Sequence, residues 1–201
     1  TLLNCLIGEK IAIISNKPQT TRNKITSILT KEDFQIVFLD TPGIHKPKHK
    51  LGEFMVKSAE TTFNEVDLVL MLVEPLLEPH TLDKYVIARL EKVKTPVILV
   101  VNKIDTIDKE KLLQVIASYS KLYPFADVVP VSAQTGQNTD QLLKVIEKHL
   151  PEGPQYFPAD MITDQPERQI ASEIIREKAL YLLQDEIPHG IAVEITSMKK
   201  R

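Results

Sequence analysis

Over residues 1–150, short apolar runs rich in β-branched side chains alternate with longer stretches of helical spacing. That rhythm predicts βα units around a mostly parallel sheet. Two runs, 66–73 (VDLVLMLV) and 96–101 (PVILVV), are almost wholly apolar and read as strands covered by helices on both faces. Residues 25–29 and 35–39 flank the polar Lys31-Glu32-Asp33 and predict two neighbouring strands joined by a hairpin. A last strand is expected at 128–131, cut short by Pro130, which belongs at a strand end or an edge. Helices are expected at 1–7, with Gly8 as C-cap, and at 51–63, 81–91, 109–119 and 139–150. Two of them carry amphipathic stripes, Leu112, Leu113, Val115 and Ile116 in one, and Leu142, Leu143, Val145 and Ile146, then Leu150, in the other.

The rhythm breaks after Leu150, where Pro151, Gly153, Pro154, Pro158 and Pro166 punctuate a semi-extended linker over 151–166. Beyond it, 167–183 reads as one long helix, with Asp164 as candidate cap and Pro166 near its first turn. Residues 191–195 alternate apolar and polar, like a half-buried strand. The chain begins at Thr1, already inside a helical pattern, and its last residues follow directly on that strand-like run, so it reads as a fragment.

Composition narrows the classes. The 201 residues carry 25 Lys plus Arg against 27 Asp plus Glu, a net charge of −2, so no global pull toward nucleic acid or anionic lipid exists and any such contact needs a local patch. The single cysteine, Cys5, excludes an internal disulfide framework and any multi-cysteine metal site, fits a reducing cytosol, and is expected in the core. No apolar run approaches the roughly 18 residues of a spanning helix.

Three loops, each at the end of an expected strand, carry the chemistry. The first is Asp40-Thr41-Pro42-Gly43. A carboxylate at the carboxyl end of a strand points into the crevice where α/β sheets bind ligands. Asp40 can hold Mg2+ there, and the Gly43 N–H can approach a terminal phosphate closely. By itself D-x-x-G is also an ordinary turn. The second is Asn102-Lys103-Ile104-Asp105, a pattern expected by chance in about one chain in forty of this length. Its chemistry suits guanine. Asp105 can accept from N1–H and the exocyclic 2-amino group together, Asn102 can face N7 or the O6 side, and the Lys103 stem can lie along the ring. The plain alternative makes Asn102 and Asp105 caps of the next helix. The third is Ser132-Ala133, where a small residue lets the Ala133 N–H approach the guanine O6.

The order of the three, with Asn102 placed 62 positions after Asp40 and Ser132 a further 30 on, is far less expected than any one alone. With it the chain resembles the translation-factor-like class of GTPases. The segments PQTTRN at 18–23, DTPGIHKPKHKLGEFM at 40–55 and NKID, with ITDQPERQIASEIIREK and EIPHGIAVEI after the linker, make it similar to the Era-like family within that class.

The resemblance implies an α/β fold: a three-layer P-loop NTPase-like G domain over 1–150, lacking its first strand and phosphate loop, the linker, and the first part of a KH-like α+β RNA-binding module over 167–201. It implies GTP binding and hydrolysis as a switch, binding of 16S ribosomal RNA, and a role in assembly and maturation of the small (30S) ribosomal subunit. GTP, GDP and that RNA are the implied partners, and DNA is not among them. Residues Gln19, Thr20, Thr21, Arg22 and Asn23 are implied as a switch segment, with Thr21 joining Asp40 on Mg2+. Ile44 stands where many signalling GTPases carry a water-orienting glutamine. An isoleucine cannot hydrogen-bond water, so hydrolysis would rest on positioning, Mg2+ and a monovalent cation such as K+, and would be slow unassisted. Implied localisation is cytoplasmic, with peripheral contact at the inner face of the cell membrane.

The phosphate loop G-x-x-x-x-G-K-[ST] and the G-x-x-G of a KH module are both missing from these residues. A non-hydrolysing RNA-binding or assembly scaffold is therefore the alternative, above all for residues 1–201 alone. His45 and His49 flank the helix-breaking Pro47 and make a poor metal pair. Lys46, Lys48 and Lys50, and Lys199, Lys200 and Arg201, are two small basic clusters read as solvated surface, with phosphate contact on RNA the functional alternative.

Overall fold

The structure, a computed structural model, describes residues 1–11, 25–41, 61–63, 65–182 and 191–198. Helix α1 (Leu2–Ile7) stops where its periodicity stops. Gly8 takes φ 83° and donates its N–H to the Asn4 carbonyl at 2.9 Å, a left-handed cap that a side chain would strain. Strands β1 (Ile25–Thr30) and β2 (Gln35–Asp40) form the expected hairpin, antiparallel from Ile25 opposite Asp40 to Thr30 opposite Gln35. Strands β3 (Val69–Val73), β4 (Val97–Val101) and β5 (Asp127–Pro130) form a parallel sheet with β4 in the centre. Helix α2 (Thr81–Leu90) makes the crossover from β3 to β4, and helix α3 (Lys109–Ser120) the one from β4 to β5. Helices α4 (Thr139–His149) and α5 (Glu167–Leu182) follow.

All five β4 residues are buried, and their alternation sorts them into two packed layers. Ile98 and Val100 join Leu142 and Ile146 of α4, Leu2 and Leu6 of α1, and Leu29 and Ile36 of the hairpin. Val97, Leu99 and Val101 face Ile87 and Leu90 of α2 and Val115 and Tyr119 of α3. The antiparallel pair and the parallel sheet, which share no ladder among the described residues, thus share one core. Tyr119 is fully buried and its phenol donates to Asp83 Oδ2 at 2.6 Å. Burial, and then that carboxylate, push its pKa well above the usual tyrosine value.

Several expectations change. The apolar run at 66–73 becomes a strand only from Val69, and its faces differ: Val69, Met71 and Val73 are buried while Leu72 is 47% exposed. In the α3 stripe, Val115 is buried but Leu113 is 67% exposed. Asp164 accepts from the Gln165 side chain at 2.8 Å, and the first-turn N–H groups of Gln169 and Ile170 are received by the Pro166 carbonyl. Residues 191–198 form no strand. Cys5 is half-buried rather than core. His80 caps α2, its Nδ1 accepting from the Leu82 N–H, and His149 pairs with Asp127 at 2.9 Å. Of the helix expected at 51–63, residues 61–63 are described, and they are helical. His45, His49 and both basic clusters lie outside the described residues.

Candidate functional site

Strand β4 delivers its motif without slack. The Asn102 N–H donates to the Val73 carbonyl at 2.9 Å, one step past the ladder, and Lys103 then takes φ 62°. That left-handed residue turns the chain sharply into a 3-10 turn, Ile104–Thr106. Ile104 anchors the turn: its side chain is 8% exposed and its N–H donates to the Val131 carbonyl at 3.2 Å. The anchor leaves Asp105 exposed at the surface, and no hydrogen bond or ion pair engages its carboxylate among the described residues. Neither motif residue caps the next helix. Asp108 does so, with Oδ1 accepting from the Lys111 N–H at 2.8 Å, and that hydrogen bond holds its carboxyl below the ordinary value.

The loop after β5 is built by its own hydrogen bonds. Ser132 is fully buried, its N–H donating to Gln137 O at 3.0 Å and its Oγ accepting from the Thr135 N–H at 3.2 Å. Gly136, at φ 78°, donates to the Ser132 carbonyl at 2.9 Å. This turn points the Ala133 N–H at the neighbouring motif, where Asn102 Oδ1 accepts it at 3.0 Å. Two loops 30 positions apart in sequence are therefore bonded side chain to backbone. The expectation had the Ala133 N–H open toward a base oxygen, whereas here it is held by Asn102.

Asp40 ends β2 in the hairpin, with Thr41 next, both half-buried. Pro42, Gly43, Ile44 and the segment Gln19, Thr20, Thr21, Arg22 and Asn23 lie outside the described residues. Among the described residues, no group of three or more His, Cys, Asp or Glu gathers as a metal cage. The sequence reading missed Glu74, which follows β3 directly and forms an ion pair with Lys103. Its position past a strand end, like that of Asn102 and Ser132, was the available signal.

Replacing Asn102 with Ala strands the Ala133 N–H in a residue only 6% exposed. A buried donor left unpaired costs about 1–3 kcal/mol, so denaturant unfolding of Asn102→Ala is expected to show that loss, and unchanged stability would mean the two loops are not coupled.

The family described as a 50S ribosome-binding GTPase matches residues 1–103. GTPase Era from Clostridium kluyveri is 55% identical over 200 residues, covering 100% of this chain and 68% of that protein. The chain belongs to the Era family of GTPases. A solved Era structure, in complex with MgGDPNP and nucleotides 1506–1542 of 16S ribosomal RNA, matches with TM-score 0.89 and 42% identity over 94% of this chain and 64% of that one. An Aquifex aeolicus Era variant bound to GDP and AlF4- matches with TM-score 0.86 and 40% identity over 93% of this chain and 64% of its own. The chain thus spans slightly under two thirds of the length of these solved Era chains, and its mixed α/β fold is theirs.

Proposed function

We propose that this protein is a GTP-binding and GTP-hydrolysing switch that binds 16S ribosomal RNA and acts in assembly and maturation of the small ribosomal subunit. The hydrogen bond from Ala133 to Asn102 carries the reading. It brings together the two loops that the reading sets around a guanine, with Asp105 exposed to meet N1–H and the 2-amino group. A site built of such polar groups rejects a base that cannot return its hydrogen bonds. The 16S assignment is supported by the Era complex that matches 94% of the chain. The family description naming the 50S ribosome covers only residues 1–103.

In this reading residues 1–150 are the nucleotide domain, 151–166 the linker, and 167–201 part of a KH-like module. Asp40, Thr41, Pro42, Gly43, Asn102, Lys103, Asp105, Ser132 and Ala133 hold the nucleotide, and 19–23 are the switch. Asp40 suits Mg2+: a half-buried carboxylate at a strand end is a hard oxygen donor, and Mg2+ takes only one or two carboxylates when phosphates and water complete its shell. Bound there with Thr21, the ion would neutralise charge on the phosphates, and K+ would assist. This chain's own residues select the base and orient it. No described helix is long and apolar enough to cross a membrane; a cytoplasmic location, with peripheral contact at the inner face of the cell membrane, is part of this proposal.

The test is calorimetric titration of the full-length protein with GTP and ATP, with and without Mg2+, alongside binding of the 1506–1542 RNA segment. GTP is expected to bind at least about a hundredfold more tightly than ATP. Equal affinities defeat the base-reading site, and RNA binding without hydrolysis is the outcome the scaffold alternative expects.

A further inference from the structure

The stretch after Leu150 has the composition of a loose tether, yet its backbone is fastened to the hairpin. Gln35, opposite Thr30 in the ladder, makes three of its four side-chain amide hydrogen bonds to this stretch. Its Oε1 accepts from the Tyr156 and Phe157 N–H groups, each at 3.0 Å, and its Nε2 donates to the Phe157 carbonyl at 2.9 Å and to Thr30 Oγ1 at 2.8 Å. A primary amide has two donor hydrogens and two acceptor lone pairs, so all of its capacity is used. Farther along, the Ile28 N–H donates to the Ile162 carbonyl at 2.8 Å and Thr163 Oγ1 donates to the Thr26 carbonyl at 2.6 Å. The direct contacts to β1 step from Ile162 to Thr163 as they step back from Ile28 to Thr26, and Gln35 holds Phe157 near the Thr30 end, so the segment runs antiparallel along the outer edge of β1. Ile28 beneath it is 1% exposed. Just beyond, α5 has its own anchor. Glu177, 2% exposed, pairs with Lys10 at 2.6 Å in the segment after α1, and a carboxylate so buried is held by its partner.

We propose that residues 155–163 are a clamp rather than a tether: Gln35 and the outer edge of β1 grip them so that the β1–β2 hairpin and helix α5 move as one body. The clamp needs no nucleotide.

Two measurements decide it, on the full-length protein. In hydrogen–deuterium exchange, the Tyr156 and Phe157 amides are expected to be protected, and Gln35→Leu is expected to speed their exchange about tenfold, the net worth of roughly one to two hydrogen bonds, with Val37 and Leu39 in β2 unaffected. Spin labels at Asp33→Cys and Arg168→Cys, in a background with every native cysteine of the full-length protein replaced, are expected to give one narrow distance distribution that broadens in Gln35→Leu. Amides exchanging at unfolded rates in the parent, or no change in either readout on substitution, overturn the clamp. Should Gln35→Leu fail to fold, Thr163→Val, which removes the donation to the Thr26 carbonyl together with the local acceptor of the Gln165 N–H, carries the same test at the Ile162 end.

Discussion

Asp105→Asn is expected to convert a guanine site into a xanthine site. The carboxylate offers two acceptors, matched to the N1–H and 2-amino donors of guanine. An amide keeps one acceptor and replaces the other with a donor, so against guanine one contact becomes donor facing donor. Xanthine carries an oxygen where guanine carries the amino group and restores complementarity. Hydrogen bonds to a charged group contribute about 1.5–3 kcal/mol each, so GTP affinity should fall by at least about tenfold to a hundredfold while affinity for xanthosine triphosphate rises. The structure makes this a clean substitution. Asp105 is exposed, the turn is held by Ile104 and Val131, and no described partner depends on the carboxylate. Stability should therefore stay within about 0.5 kcal/mol. Competition titration of the two triphosphates against full-length protein measures the ratio, and an unchanged preference would remove Asp105 from base recognition.

That the prediction can be made from residue types reflects how the motifs sit. Asp40, Asn102 and Ser132 each follow a strand whose apolar run is legible, and a strand end is where polar residues must stop being core. The chain therefore announces both the element and the place where its chemistry begins. The hairpin and the interiors of α1 to α5 were equally legible, because period 2 and period 3.6 separate cleanly when one face is buried. What escaped has a common cause in partners that periodicity cannot see. Leu72 and Leu113 are apolar yet exposed, since the number of faces a strand or helix buries depends on what is stacked against it. Residues 191–195 alternate like a strand but form none, since alternation marks a face and does not supply a ladder. Proline and glycine at 151–166 correctly excluded helix and strand, but composition says nothing of Gln35, more than a hundred residues away in sequence and joined to this segment by three hydrogen bonds of its amide. Likewise the Glu74 pairing with Lys103 and the capture of the Ala133 N–H by Asn102 are contacts between loops from different strands, which spacing along one chain does not encode.

Leu142→Ala is expected to be among the costliest single substitutions in the molecule. Leu142 is fully buried on α4, in the cluster where Leu29 and Ile36 of the hairpin meet Ile98 and Val100 of the parallel sheet and Leu2 and Leu6 of α1. Since no ladder joins the two sheets among the described residues, side-chain packing at this layer is what couples them. Truncating a buried leucine to alanine removes its transfer free energy and leaves a cavity whose walls relax only partly, a loss of about 2–5 kcal/mol. For a chain of this size that lowers the melting temperature by roughly 5–15 °C. Leu113→Ala is the matched control: the same chemistry on a helix, at a position 67% exposed, should stay within about 0.5 kcal/mol. Denaturant unfolding followed by both far-ultraviolet circular dichroism and tyrosine fluorescence reads the comparison. A shared core requires the two probes to lose stability together in Leu142→Ala. A loss no larger than that of Leu113→Ala, or one confined to a single probe, would show that the hairpin and the parallel sheet are held together by something other than this layer.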